Sequence, residues 1–321
     1  MKKKYFLILI LISLATIFVS CGSDENSHEE DTTTTDSVHV EAALSPLLWR
    51  ATNDNGQSVY LFGSIHAANE DAYPLPDYVM DAFARTDYLA VEVDIAAILN
   101  DLGAQMAFAS LFILPEGVAL PDIIGEDLFY RATEILEERE EFGGILSQLA
   151  RVFHPFAFYS LILEVALHEA GLNSEDGIDL FFINEANLLG KPIIELESME
   201  MQASVFANFS NELHIFLIED SLDLDYGVEA LLHLYSIWKT GDEAAFYELT
   251  NASEEAMPLH LLEEYNNALM LERDISMTEK IRQFMAYEQK VFIVVGLAHL
   301  IGQDSIIYQL RNFGYTIELI N

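Results

Sequence analysis

Ser58-Val-Tyr-Leu-Phe-Gly-Ser-Ile-His66 runs a strand-like apolar stretch straight into a Gly-x-x-His step. Lys290-Val-Phe-Ile-Val-Val-Gly-Leu-Ala-His299 does the same near the other end of the chain. Each run of β-branched and aromatic residues has the composition of a buried strand, with the glycine at or near its C-terminal end. Ligands of open α/β sheets bind outside that edge. His66 and His299, delivered there from opposite ends of the chain, are therefore expected in one pocket. Gly63 and Gly296 remove a side chain where a ligand or a second backbone must come close. One Gly-x-x-His is common by chance, and either histidine alone would be read as bonding nearby backbone. The pair at matched strand ends favours a shared site.

Outward from these runs, Asp54-Asn-Gly56 reads as a tight hairpin turn between strands at Ser45–Arg50 and Gln57–Phe62. Pro74-Leu-Pro76 then leads into a helix over Tyr78–Arg85 with Asp77 as its N-cap, followed by a second core strand, Asp87–Val93. Strand, helix and strand in this order predict a parallel crossover. Glu92 and Asp94 share parity at the end of that strand, and Glu195 and Glu197 share parity around the end of a short strand at Ile193–Leu196. The segments 95–185 and 200–286 read as mainly helical insertions, including an unusually apolar stretch, Ile145–His168. The last sheet elements are Val291–Val295 and Tyr315–Ile320, on either side of a helix at Asp304–Asn312. The expected fold is α/β: a mixed, largely parallel central sheet flanked by helices, with a large helical insertion or cap, in one domain over 41–321.

The first forty residues are of another kind. Lys2, Lys3 and Lys4 precede the apolar Tyr5–Leu14, and the segment closes on Phe18-Val-Ser-Cys21, the layout of a secretory signal over 1–20. Cys21 after a small residue resembles a bacterial lipobox, so Cys21 is the expected lipidation site and membrane anchor. Residues 22–40 are polar and acidic, which predicts a flexible tether. Gly22-Ser23 lacks an inner-membrane retention aspartate, which favours the outer membrane in a Gram-negative host. Because Cys21 is the only cysteine, an intramolecular disulfide and a thiolate metal site are both excluded. The chain holds 53 acidic against 15 basic residues, a net charge of −38. Such a field repels nucleic acid and anionic lipid, so no nucleic-acid partner is expected.

At the strand ends, His66, His299, Glu92, Asp94 and Glu197 offer imidazole and carboxylate donors. That set suits either a divalent metal or an acid/base pair. Arg273, in a chain poor in cations, either pairs on the surface or points into this acidic pocket. Ser64 lacks the Gly-x-Ser-x-Gly elbow of a nucleophilic serine. No His-Glu-x-x-His helix or phosphate-binding glycine loop occurs. His154, His168, His214, His233 and His260 fall in helical stretches and read as structural or exposed.

Several segments closely resemble the TraB/PrgY/GumN family, which is related to the Tiki proteins. They are Tyr60–His66, Tyr73-Pro-Leu-Pro76, Ala90–Asp94, Gly177-Ile-Asp179, Gly190-Lys-Pro192, Leu196-Glu197 with Gln202 beyond it, Glu272-Arg273, Val294–His299 and Gly314-Tyr315. The resemblance implies an α/β core related to erythromycin-esterase-like and ChaN-like domains. From the Tiki proteins it implies metal-dependent proteolysis with manganese or cobalt. It makes His66, His299, Glu92 and Glu197 the expected metal ligands, and it makes Glu92, Glu197 and Arg273 the expected catalytic groups. Gly63, Asp94, Asp179, Gln202 and Gly296 support them. Where the family usually has Arg-Asn, this chain has Arg273-Asp274. The expected function is a lipid-anchored, metal-dependent hydrolase of the bacterial envelope acting on a peptide or protein. The alternatives are a non-enzymatic protein that sequesters a peptide, metal or small ligand, and an interaction protein using its acidic helical lobe.

Overall fold

Strand β5, Val291–Gly296, is buried at every position in the computed structural model, which describes residues 43–321 apart from 140, 141, 143, 255 and 256. A strand covered on both faces has no polar side to alternate with, which explains its unbroken apolar sequence. It pairs in parallel with β2 (Ser58–Ser64) on one side and β3 (Tyr88–Val91) on the other. Strand β4 (Ile193–Glu195) extends the parallel set beyond β3. Beyond β2 the sheet continues antiparallel through β1 (Leu48–Thr52) and β6 (Thr316–Ile320). The order is β4-β3-β5-β2-β1-β6, a mixed and mostly parallel sheet as expected. Cys21, the leader and the tether lie outside the described residues.

β2 and β3 are parallel, yet they are not neighbours, because β5 lies between them. That insertion brings the two Gly-x-x-His steps together. Gly63 stands opposite Val295 and Ser64 opposite Gly296, so both steps leave the sheet side by side.

Five helices carry the site or its support: α1 (Asp77–Ala84), α2 (Ile178–Leu189), α3 (Met199–Ala207), α4 (Glu272–Ala286) and α5 (Ile306–Asn312). Phe182 of α2 packs on Phe62 of β2, Phe83 of α1 and Phe292 of β5, with ring centroids 5.5, 5.2 and 5.0 Å apart. This cluster holds α2 against the sheet through area burial and ring geometry together. α4 packs against β2 and α5. Trp238, in the helix Leu224–Thr240, donates its indole N–H to the Gly63 carbonyl at 2.9 Å, tying the helical region to the end of β2.

Some boundaries differ from expectation. α1 begins at Asp77 itself, with Pro76 at the cap position and no side-chain cap. Asp77 thus lies in the first turn, where its charge suits the helix dipole. The apolar stretch at 145–168 is broken into Ile145–Leu149, a short turn at Ala150–Val152, and Pro155–Glu169. Pro155 starts the last piece, where a missing N–H costs nothing. The His154 ring caps it by accepting from the Phe156 N–H. Phe153, Phe156 and Phe158 are core residues. Among the described residues no helix is long and apolar enough to cross a membrane.

The approach of α2 to the end of β2 leaves no room at Gly177. A Cβ there would lie 2.4 Å from the His66 carbonyl oxygen and 2.9 Å from that of Ser174. Gly177→Ala must therefore push the start of α2 away from the His66 loop. It should destabilise the protein by about 1–3 kcal/mol, the usual cost of overpacking. An unchanged melting temperature for Gly177→Ala would show that this approach is not tight.

Candidate functional site

β2 hands its last residue, Ser64, and then His66 to the C-terminal edge of the parallel strands. The N-terminus of α2 meets them there, fixed by the Ile178 N–H donating to the Ile65 carbonyl at 3.0 Å. Asp179, in the first turn of α2, uses both oxygens. Oδ1 accepts from the Ser64 hydroxyl at 2.7 Å, and Oδ2 lies 2.6 Å from His66 Nδ1. β5 ends in a short turn, Leu297–His299, and His299 Nδ1 lies 2.6 Å from Oδ1 of Asp274 in the first turn of α4. Both imidazoles thus engage a helix-borne carboxylate through Nδ1. In the neutral form the proton resides on that nitrogen, which leaves Nε2 as the donor atom. His299 Nε2 is 3.8 Å from Glu92 Oε1.

Glu92 follows β3 and is buried. Its Oε1 accepts from the Gly296 N–H at 2.8 Å, and its Oε2 accepts from Arg273 Nη2 at 2.6 Å and Gln202 Nε2 at 3.1 Å. Glu197, just past β4, accepts from Arg273 Nε at 2.8 Å, from Arg273 Nη2 at 2.6 Å and from Gln202 Nε2 at 3.0 Å. Arg273 completes its bonding at the Leu269 carbonyl, 3.2 Å away. That carbonyl belongs to Asn267–Leu271, a π-helical turn directly before α4. Such turns alter the regular i→i−4 ladder and recur at functional sites. Arg273, Glu92, Glu197 and Gln202 are all nearly inaccessible.

The electrostatics follow from this packing. Burial by itself would raise the Glu92 pKa. The charges of His299, Arg273 and His66, with the Gly296 N–H, outweigh it and bring the carboxyl down to about 2. Burial alone would lower the His66 pKa, yet the charge and hydrogen bond of Asp179, helped by Glu92, raise it to about 9. Asp274 is raised, with burial the largest cause and His299 opposing it.

His66, His299, Glu92, Glu197, Arg273, Asp179, Gln202 and the Gly296 N–H meet in one constellation. Gly63 stands one residue back in the strand, its carbonyl taken by Trp238. Asp94 is elsewhere: it caps the helix Ile95–Leu99 by accepting from the Ala97 N–H at 3.1 Å. Glu195 is exposed and accepts from the Asp94 N–H. The parity expected for these carboxylates lapses because β3 ends at Val91 and β4 at Glu195. Among the described residues, no group of three His, Cys, Asp or Glu is gathered closely enough to hold a metal ion as it stands. Within the expected set of His66, His299, Glu92 and Glu197, Arg273 occupies the Glu197 carboxylate and one oxygen of Glu92. Neither glutamate is therefore an unpaired carboxylate.

Two participants were not recognised from sequence. Asp274 stood out only as a departure from the family's asparagine. An asparagine oxygen would accept the same Nδ1–H bond, and the carboxylate adds a charge. Ser64 suggests by its type only a nucleophile, whereas its hydroxyl is spent on Asp179. Its position opposite Gly296 in the β2–β5 pair was the available signal, and it required the strand order.

A model of the TraB/PrgY/gumN family matches residues 47–319. The uncharacterized protein YbaP of Escherichia coli is 25% identical over 253 residues, covering 78% of this chain and 87% of the relative. Metalloprotease TIKI1 of Homo sapiens is 21% identical over 323 residues, covering 87% of this chain and 62% of the relative. Metalloprotease TIKI2 of Danio rerio is 24% identical over 352 residues, covering 96% of this chain and 67% of the relative. No solved structure matches the chain. With nearly the whole described region matched, the chain belongs to the TraB/PrgY/gumN family and is a distant relative of the Tiki metalloproteases.

Proposed function

We propose that the chain is a metal-dependent hydrolase acting on peptide bonds, held at a bacterial envelope membrane by lipid on Cys21. One observation carries the reading: two imidazoles at adjacent strand ends, each fixed through Nδ1 by a carboxylate, both acting on the charge of Glu92. Metal-ligating histidines are typically oriented in this way, the second nitrogen being held by a carboxylate or carbonyl. The donor chemistry fits a divalent ion. Glu92, Glu197, Asp179 and Asp274 bring four carboxylates against the single guanidinium of Arg273, so the site carries surplus negative charge. The 3.8 Å from His299 Nε2 to Glu92 Oε1 is within the roughly 4.2 Å that two ligand atoms about 2.1 Å from one ion can span. Nε2 of His66, Nε2 of His299 and Oε1 of Glu92 are the atoms that would hold the ion, and they would have to close on it, since the described residues hold no ready three-ligand cluster. The Tiki relationship favours manganese or cobalt.

Such an ion supplies Lewis acidity, polarising a carbonyl and making water a better nucleophile. The chain's own groups set the stage for it. Glu92, with its pKa near 2, stays ionised and contributes charge; a group so acidic is a poor general base at neutral pH. Arg273 and Gln202 hold Glu92 and Glu197 in fixed positions. Asp179 and Asp274 set the ring orientation of His66 and His299. Charge, rather than a proton relay, is therefore the role assigned to Glu92, while Glu197 anchors Arg273.

Metal analysis of the protein purified without chelator tests this reading. Approximately stoichiometric manganese, cobalt, zinc or iron is expected, and the His66→Ala/His299→Ala variant should lose it. A wild-type protein without metal, even after reconstitution with these ions, would favour the sequestering alternative. Acidity offers a second check on the chelator-treated protein. Because the His66 pKa rises from 6.5 to about 9 on folding, its contribution to stability is fully present below about pH 6.5 and is lost as the pH climbs through about 9. The melting temperature should fall over that window, and the fall should be shallower in His66→Gln. An equal slope in both proteins would remove His66 as its source.

A further inference from the structure

We infer that Ser64 is a positioning residue that fixes the donor orientation of His66 by acting through Asp179. The inference rests on the reading of His66 as a donor at the site. An aspartate carboxylate facing an imidazole can turn about its Cβ–Cγ bond and offer either oxygen at a range of angles. The Ser64 hydroxyl removes that freedom. It donates to Oδ1 at 2.7 Å, so that Oδ2 faces His66 Nδ1 at 2.6 Å. The relay joins two rigid elements: Ser64 is the last residue of β2, and Asp179 lies in the first turn of the twelve-residue helix α2. Constellations held between sheet and helix keep tighter geometry than those on loops alone.

The second dyad lacks this arrangement among the described residues. Asp274 meets His299, and the buried Thr278 hydroxyl one turn further along α4 has no hydrogen-bond partner. His66, on its connecting loop, is thus the imidazole whose carboxylate has a dedicated hydroxyl. The plainer explanation is that a hydroxyl with 1% exposure merely satisfies itself on the nearest acceptor. That explanation requires no effect on His66 beyond a loss of stability.

An isosteric pair separates the two. Ser64→Thr and Ser64→Val add the same bulk, both suit a strand position, and only threonine keeps the hydroxyl. In the metal-free full-length protein, the Nδ1–H protons of His66 and His299 should each give a low-field imidazole resonance. Ser64→Thr should keep both signals. Ser64→Val should lose or shift the His66 signal and leave that of His299 unchanged. In competition with a chelator, manganese(II) affinity should fall about ten- to a hundredfold in Ser64→Val, the usual cost of removing a group that orients a ligand, and be retained in Ser64→Thr. Equal behaviour of the two variants in the imidazole signal overturns the inference. If neither β-branched variant folds, Ser64→Ala decides: loss of the His66 signal with that of His299 intact supports the inference, and its retention overturns it. A wild type that takes up no manganese refutes the metal reading, and the imidazole signals still decide the role of Ser64.

Discussion

The Arg273 guanidinium, buried between Glu92 and Glu197, is the interaction on which the site depends. The two carboxylates stand just past neighbouring parallel strands and share the Gln202 amide. Without a cation between them, like charges in a poorly solvated place would force one to take a proton or to leave. Arg273 removes that conflict and ties α4, a helix from the end of the chain, to strands from its first third and its middle. It also leaves Oε1 of Glu92 directed to the Gly296 N–H and His299. Ionic groups buried this deeply cost several kcal/mol each in desolvation before their attraction offsets it. The constellation is therefore not what holds the fold together. That task falls to the fully buried strand β5 and the Phe62–Phe83–Phe182–Phe292 cluster beneath it.

A second constraint couples the helices to the chemistry. Asp179 lies in the first turn of α2, where the exposed N–H groups and the dipole favour a negative charge. Asp274 lies in α4 just past the π-helical turn Asn267–Leu271, where burial opposes its carboxylate and the charge and hydrogen bond of His299 favour it. α2 and α4 come from different parts of the chain and reach the same sheet edge by packing, α2 through its phenylalanines and α4 through β2 and α5. Orientation of the two histidines is thus a consequence of core packing. A tight contact such as that at Gly177 bears on His66 for the same reason.

The repeated Gly-x-x-His step was legible because strand ends are written locally, in a run of β-branched and aromatic residues closed by glycine. The same local reading failed where a strand stopped early. Asp94 and Glu195 had the right parity, but parity holds only while the backbone stays extended, and β3 and β4 are four and three residues long. The place of β5 between β2 and β3 could not be read from order along the chain, since its partners lie more than two hundred residues away. Ser64 was obscured for a similar reason, because its partner Asp179 stands on a distant helix. Asp274 meets His299 only 25 residues on, but an aspartate within a helix is uninformative alone.

The charge balance of the assembled site gives the last step. Four carboxylates face one guanidinium and two imidazoles in a chain whose net charge is already −38, so the overall field adds to the local excess. A buried group answers such a field by binding whatever positive charge is available. His66 does so with a proton, which is why its pKa rises to about 9 despite a burial that opposes it. A divalent ion drawing on His66 must displace that proton, because ligation requires the neutral ring. Under the proposed function, proton and metal would therefore compete for one surplus of negative charge, and the carboxylates that would attract the ion also hold the proton that would exclude it. An unusually basic His66 follows from the arrangement of Glu92 and Asp179, and under the proposed function an affinity for divalent cations would follow from the same arrangement.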